Sequence, residues 1–151
     1  MRLDACDGWA IPNRRPRLEL HPQQAHEGRM QQAVHGREYV NVSCMYNCVG
    51  FVFGGGRTQI EPELVPDILA HDSFRQVSAP LVGDVVVYKR NDEIVHVGIV
   101  WAIADGFQIA TRTIKVRSKW GDYCDLVHEI DDIPDSWRGT MEFYRNTVIW
   151  S

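Results

Sequence analysis

The sequence predicts an α+β fold, and three observations carry that prediction. The segment Asn41 to Phe53 has no charged residue, offers an N-cap at Asn47 and ends in Gly54-Gly55-Gly56, which reads as a short buried helix. Beyond residue 80, apolar runs rich in Val and Ile alternate with turn-forming Asp, Asn and Gly. Parallel neighbours need long crossovers, so strands joined by short turns form an antiparallel sheet.

Residues 1–40 show no clear period. Asn13-Arg14-Arg15-Pro16-Arg17 is basic and broken by proline, and Gln23 to Gln32 is polar with weak helical spacing. This stretch is expected to be an irregular arm with at most one short helix, its basic cluster a solvated surface. Residues 41–151 are expected to form the domain proper. Its helix begins near Cys48, where the Asn47 side chain can accept a free N–H of the first turn, and stops at the glycines. A second short helix is expected over Pro62 to Ala70, with proline in its first turn.

The strands follow. Val85 to Tyr88 lies between Gly83-Asp84 and Arg90-Asn91-Asp92, and His96 to Ile103 runs to Asp105-Gly106, a hairpin signal. Phe107 to Val116 gives one long strand or two short ones, and further strands are expected at Leu126 to Ile130 and Glu142 to Arg145. Asp84 is expected to make a turn bond.

Composition bounds the function. The 151 residues, 44% apolar and 24% charged, fit one domain able to build its own core. Sixteen Lys+Arg against twenty Asp+Glu give a formal charge of −4, which argues against a general nucleic-acid binder. No apolar run reaches membrane-spanning length, so no membrane partner is expected. Met1 to Arg17 has charges and prolines where a secretion signal has an apolar stretch, so the chain is expected to be cytoplasmic as synthesised. Four cysteines, Cys6, Cys44, Cys48 and Cys124, are too few and scattered for a disulfide scaffold.

Two residues invite chemistry. A thiolate is the nucleophilic form of cysteine, and the N–H groups at a helix start favour negative charge, so Cys48 stands where a nucleophile is wanted. The same N–H groups can hold the oxyanion of a tetrahedral intermediate. His96 opens an apolar strand and has the near-neutral pKa of a general base. His21, His26, His35 and His71 lie in polar or poorly patterned stretches and read as surface. A rival reading takes Cys44, Cys48, Cys124 and His128 as a Cys₃His zinc site. The apolar setting of the first pair, without the Gly and Lys of a zinc knuckle, speaks against it, so no metal or other cofactor is expected. A Cys44–Cys48 disulfide would silence the nucleophile.

Taken in order, Asn47-Cys48-Val49-Gly50-Phe51-Val52, Gly83-Asp84-Val85-Val86-Val87-Tyr88 and His96-Val97-Gly98-Ile99-Val100 resemble the core of the NlpC-like and CHAP-type cysteine peptidases and amidases. The resemblance spans about residues 44–121. Val116-Arg117-Ser118-Lys119-Trp120-Gly121, with His128 after it, is similar to a bacterial subset of that superfamily. The resemblance implies a papain-like fold, with Cys48 on a helix packed against the sheet and His96 as its base. The third catalytic position departs from the common patterns: Ser118 is preferred, then His128, then Gln108, while Thr111 and Thr113 share the same stretch. A tyrosine upstream of the cysteine, Tyr46 or Tyr39, is a candidate oxyanion donor, and Trp120 a candidate wall of the cleft.

The expected activity is amide hydrolysis by a bacterial or phage cysteine peptidase or amidase. Peptidoglycan-type peptides are the first substrate to consider, reached by export without a signal peptide, and a cognate inhibitor or secretion partner is conceivable. The alternatives are a papain-like binding or immunity-type protein without turnover, and a zinc-stabilised interaction domain.

Overall fold

A computed structural model describes residues 2–13, 38–42, 46–56, 58–105, 112–120 and 124–147, without the side chains of 38–42 and 124. The fold is α+β. Its strands are β1 (Glu38–Val42), β2 (Phe74–Val77), β3 (Val85–Arg90), β4 (Glu93–Asp105), β5 (Arg112–Trp120), β6 (Cys124–Glu129) and β7 (Thr140–Asn146). They form one seven-stranded sheet in the order β1-β6-β5-β4-β3-β7-β2, with every pairing antiparallel. The two helices are α1 (Cys48–Phe53) and α2 (Val65–His71), the latter preceded by a 3-10 turn at Pro62–Leu64.

The alternation of side chains along β3 and β4 builds two apolar layers. Val85, Val87 and Val97 face α1 and α2, packing with Val49, Val65 and Ile68, and Ala5 and Ile11 of the N-terminal segment close that layer. Val86, Tyr88 and Val116 face the other way, where Ile133 and Trp137 cover them. Trp137 belongs to a 3-10 turn, Asp135–Trp137, that lies on this second face.

Helix α1 starts as its sequence dictates. Asn47 Oδ1 accepts from the Gly50 and Ile60 N–H groups at 2.8 and 3.2 Å, and its Nδ2 donates to the Ile60 carbonyl at 2.8 Å. One side chain therefore caps the helix and ties it to the segment before α2. Asp84 makes the expected turn bond, accepting from Leu81 N–H, and adds a two-pronged ion pair with Arg145.

Three elements differ from expectation. β1 straddles the boundary drawn at residue 40 and pairs with β6, and β2 appears where no strand is expected. β5 runs to Trp120, so Ser118 lies inside a strand instead of at its boundary. Residues 14–37 of the arm, with the 23–32 segment among them, and the connection at 106–111 lie outside the described residues.

Candidate functional site

The ladder between β4 and β5 pairs Asp105 with Arg112 at one end and stops at Ile99 with Arg117. Beyond that point β4 continues along β3 through His96, and β5 continues along β6 through Trp120. The start of α1 meets the sheet here, and most of the candidate residues collect around this end of the ladder.

Cys48 is half-buried as a residue, on the helix-facing layer beside Val97. Burial pushes its thiol above the ordinary value, opposed by the amides of Val97, Val49 and Cys48 itself and by the charge of Lys119. The amides of the helix start thus favour the thiolate as expected, and burial acts against them as the larger cause.

His96 is 2% exposed and points to the opposite layer, as the neighbour of Val97 on a strand must. Its ring stacks on Trp137 with centroids 3.9 Å apart and rings 12° from parallel. Burial, and then the neighbouring His128, hold its pKa well below the ordinary 6.5. Its Nε2 is buried and has no hydrogen-bond partner among the described residues. Cys48 and His96 thus lie at the same end of the ladder without a hydrogen bond between them, both favouring the neutral form, so the activated pair expected from the sequence is not assembled.

The candidates for the third position gather around His96. Ser118 is fully buried and 2.8 Å from His128 Nε2, while His128 Nδ1 is 2.7 Å from the Glu129 carbonyl. A carbonyl only accepts, so Nδ1 carries the proton and Nε2 accepts from the Ser118 hydroxyl. Trp120 Nε1 donates to Ser118 Oγ at 3.1 Å, and its ring meets His128 and Trp137 edge-on. Neither Ser118 nor His128 is hydrogen-bonded to Nε2 of His96. Thr113 is exposed on β5, remote from this cluster in register, and Gln108 and Thr111 lie outside the described residues.

Tyr46 is buried, its carbonyl accepts from Lys119 Nζ at 3.0 Å, and its ring lies along Phe51. The structure shows the residue anchoring the chain before Cys48. The side chain of Tyr39 is outside the description. His71, expected as a surface residue, is half-buried in the stack on Trp9 and bonded to Asp7.

Sequence reading passed over two residues. Trp137 covers His96 from a turn with no regular period, so no signal marked it. Lys119 is fully buried, and its signal was the two-residue alternation that sets Arg117 and Lys119 on one face and Ser118 and Trp120 on the other.

Among the described residues, no group of three or more His, Cys, Asp or Glu side chains could hold a metal ion. Cys48 and His128 project to opposite layers, and Cys44 lies outside the description, so the zinc reading has no assembled ligand set. No helix among the described residues is long and apolar enough to cross a membrane. Comparison with known proteins found no matching family model, no matching curated protein and no matching solved structure.

Proposed function

We propose that the chain is a papain-like thiol hydrolase that cleaves amide bonds, with Cys48 as nucleophile and His96 as general base. One observation carries the reading: the buried, unpartnered Nε2 of His96, one residue along β4 from the amide that supports the Cys48 thiol. Buried polar atoms are satisfied almost everywhere in folded proteins, so a basic nitrogen left open at the same end of the ladder as the thiol is accounted for by a proton it has yet to receive. Both groups rest neutral, which suits proton transfer during attack instead of a preformed ion pair.

In this mechanism the imidazole turns off Trp137 toward the end of the β4–β5 ladder and takes the thiol proton as sulfur attacks the carbonyl carbon. The Cys48 amide then holds the oxyanion. His96 returns the proton to the departing amine, and water releases the acyl group from sulfur by the reverse sequence. Ser118 and His128 line the layer in which the base is stored. The substrate class is peptide-like, with peptidoglycan stem peptides the first to test.

A second reading is favoured by the Trp137 stack: a papain-like scaffold whose covered histidine never meets its cysteine and which serves as a binding protein. A panel of peptide and muropeptide amides decides between them. Turnover lost in both Cys48→Ala and His96→Ala supports the hydrolase, and no turnover of any amide by the folded wild-type chain supports the scaffold.

A further inference from the structure

We infer that the free edge of β4 at Trp101–Asp105, with the apolar cleft at its base, is the binding surface for an extended peptide that carries a bulky apolar side chain. As a binding surface it stands on geometry; as the seat of a peptide substrate for Cys48 it rests on the thiol-hydrolase reading. β4 outruns its neighbour. β3 pairs with it from Arg90 with Glu93 to Val85 with Ile99. The Gly83 N–H then donates to the Val100 carbonyl, and the Val100 N–H to the Asp84 carbonyl, both at 2.8 Å. Past that point Ala102 to Asp105 pair with β5, and no strand among the described residues runs along their other side. Such an edge presents a row of backbone N–H and C=O groups, and the chemistry that matches the row is another extended backbone.

The side chains at the base of the edge say what that backbone carries. Four large apolar residues are exposed among the described ones, and three of them, Leu81, Val82 and Trp101, flank the point where β3 leaves β4. Apolar surface gathered in one place marks an interaction site. Leu81 and Val82 also wall a cleft of about 460 Å³, together with Val52 of α1, Phe74 of β2 and Ile99 of β4. Two charged residues line it as well, Asp84 and Arg145, and they are spent on each other through two hydrogen bonds. The cleft therefore has the size of a ligand pocket and selects an apolar occupant without net charge.

Edge and cleft lie in line with the candidate nucleophile. Cys48 and Val52, four residues apart on α1, share a helix face and pack on the cluster that holds Val97. Along β4 the order is thus Val97 beside Cys48, Ile99 in the cleft, and the free edge from Trp101 onward. A peptide laid along the edge with one side chain in the cleft runs from there toward the start of α1. Main-chain bonds supply its affinity and the cleft its selectivity.

The test is amide hydrogen exchange of the full chain, read by NMR, with and without a blocked heptapeptide that alternates leucine with threonine between terminal lysines. At about ten times its Kd the peptide is expected to slow exchange of the Trp101–Asp105 edge amides about tenfold and to shift the methyl resonances of Leu81, Val82 and Val52. Replacing its leucines by glutamate, or N-methylating its backbone, is expected to weaken binding about tenfold or more. Val82→Asp, a change at an exposed position, is expected to do the same. No slowing by the leucine peptide up to millimolar concentration overturns the surface, as does equal slowing by the glutamate and N-methyl peptides. Edge amides already protected without peptide overturn it too: protection that grows with protein concentration assigns the edge to a second copy, and protection that does not assigns it to another part of the chain. A bound peptide left uncleaved counts against the hydrolase reading alone, and cleavage at Cys48 without protection of the edge counts against the surface alone.

Discussion

Ser118 donates its hydroxyl hydrogen to Nε2 of His128 at 2.8 Å while accepting from Trp120 Nε1 at 3.1 Å. The serine thus joins two buried groups through a single oxygen. In Ser118→Ala, His128 Nε2 loses its donor and Trp120 Nε1 its acceptor. A hydrogen bond contributes about 0.5–1.5 kcal/mol net, so losing these two should cost about 1 kcal/mol or more in urea unfolding. A stability equal to wild type would mean that this pair does not organise the layer.

The buried His96 makes a pH prediction. Its folded pKa lies below the ordinary 6.5 expected of the unfolded chain. Between the two values the unfolded state binds a proton that the folded state refuses, so stability falls as pH drops below about 6.5 and levels off once both states are protonated. Thermal unfolding between pH 7.5 and 5 should show this decline, and His96→Phe should flatten it. An acid slope identical in the variant would assign the effect to other groups.

Trp137 keeps His96 dry, so removing it should return the imidazole toward its ordinary pKa. Desolvation is the first cause of the depression, and Trp137 is the ring stacked on it. An NMR titration of Trp137→Ala should find the His96 pKa raised from that of wild type. No rise would show that the sheet itself, and not the covering turn, excludes water.

Gly50 is held to glycine by contact. A Cβ at this position would lie 1.8 Å from the Thr58 carbonyl oxygen, which is backbone and cannot swing aside. Gly50→Ala should therefore lift α1 off the 58–60 segment and cost about 3 kcal/mol or more, as overpacking against backbone does. Denaturation of Gly50→Ala beside the wild-type chain checks it, and a loss below about 1 kcal/mol would show that the 58–60 segment gives way without cost.

Much of this arrangement was legible because local chemistry and fold agree. The Asn47 cap and the triple glycine delimit α1, and the Val-rich runs mark β3 and β4. β1 and β2 were not legible: Glu-Tyr-Val-Asn-Val and Phe-Arg-Gln-Val are short edge strands whose pairing comes from β6 and β7, not from their own pattern. The candidates Cys48, His96, Ser118 and His128 were named from residue type and order. Their mutual orientation needs to know which layer α1 covers. That choice is made by Val85, Val87 and Val97 packing against α1 and α2, which turns His96 away from its thiol. A buried lysine was invisible for the same reason, since a charged residue in a strand reads as solvent-facing until its partners are known.

The central claim, that Cys48 is a nucleophile served by His96, is tested most directly by acylation of the full chain with p-nitrophenyl acetate at pH 7.5. Intact mass and peptide mapping report the site. The account predicts one acetyl group on Cys48, formed in a burst by the wild-type chain and slowed about 10²-fold or more in His96→Ala, the range a general base contributes. Acetylation spread over the thiols and lysines at equal rates, or a Cys48 rate unchanged by His96→Ala, would contradict it.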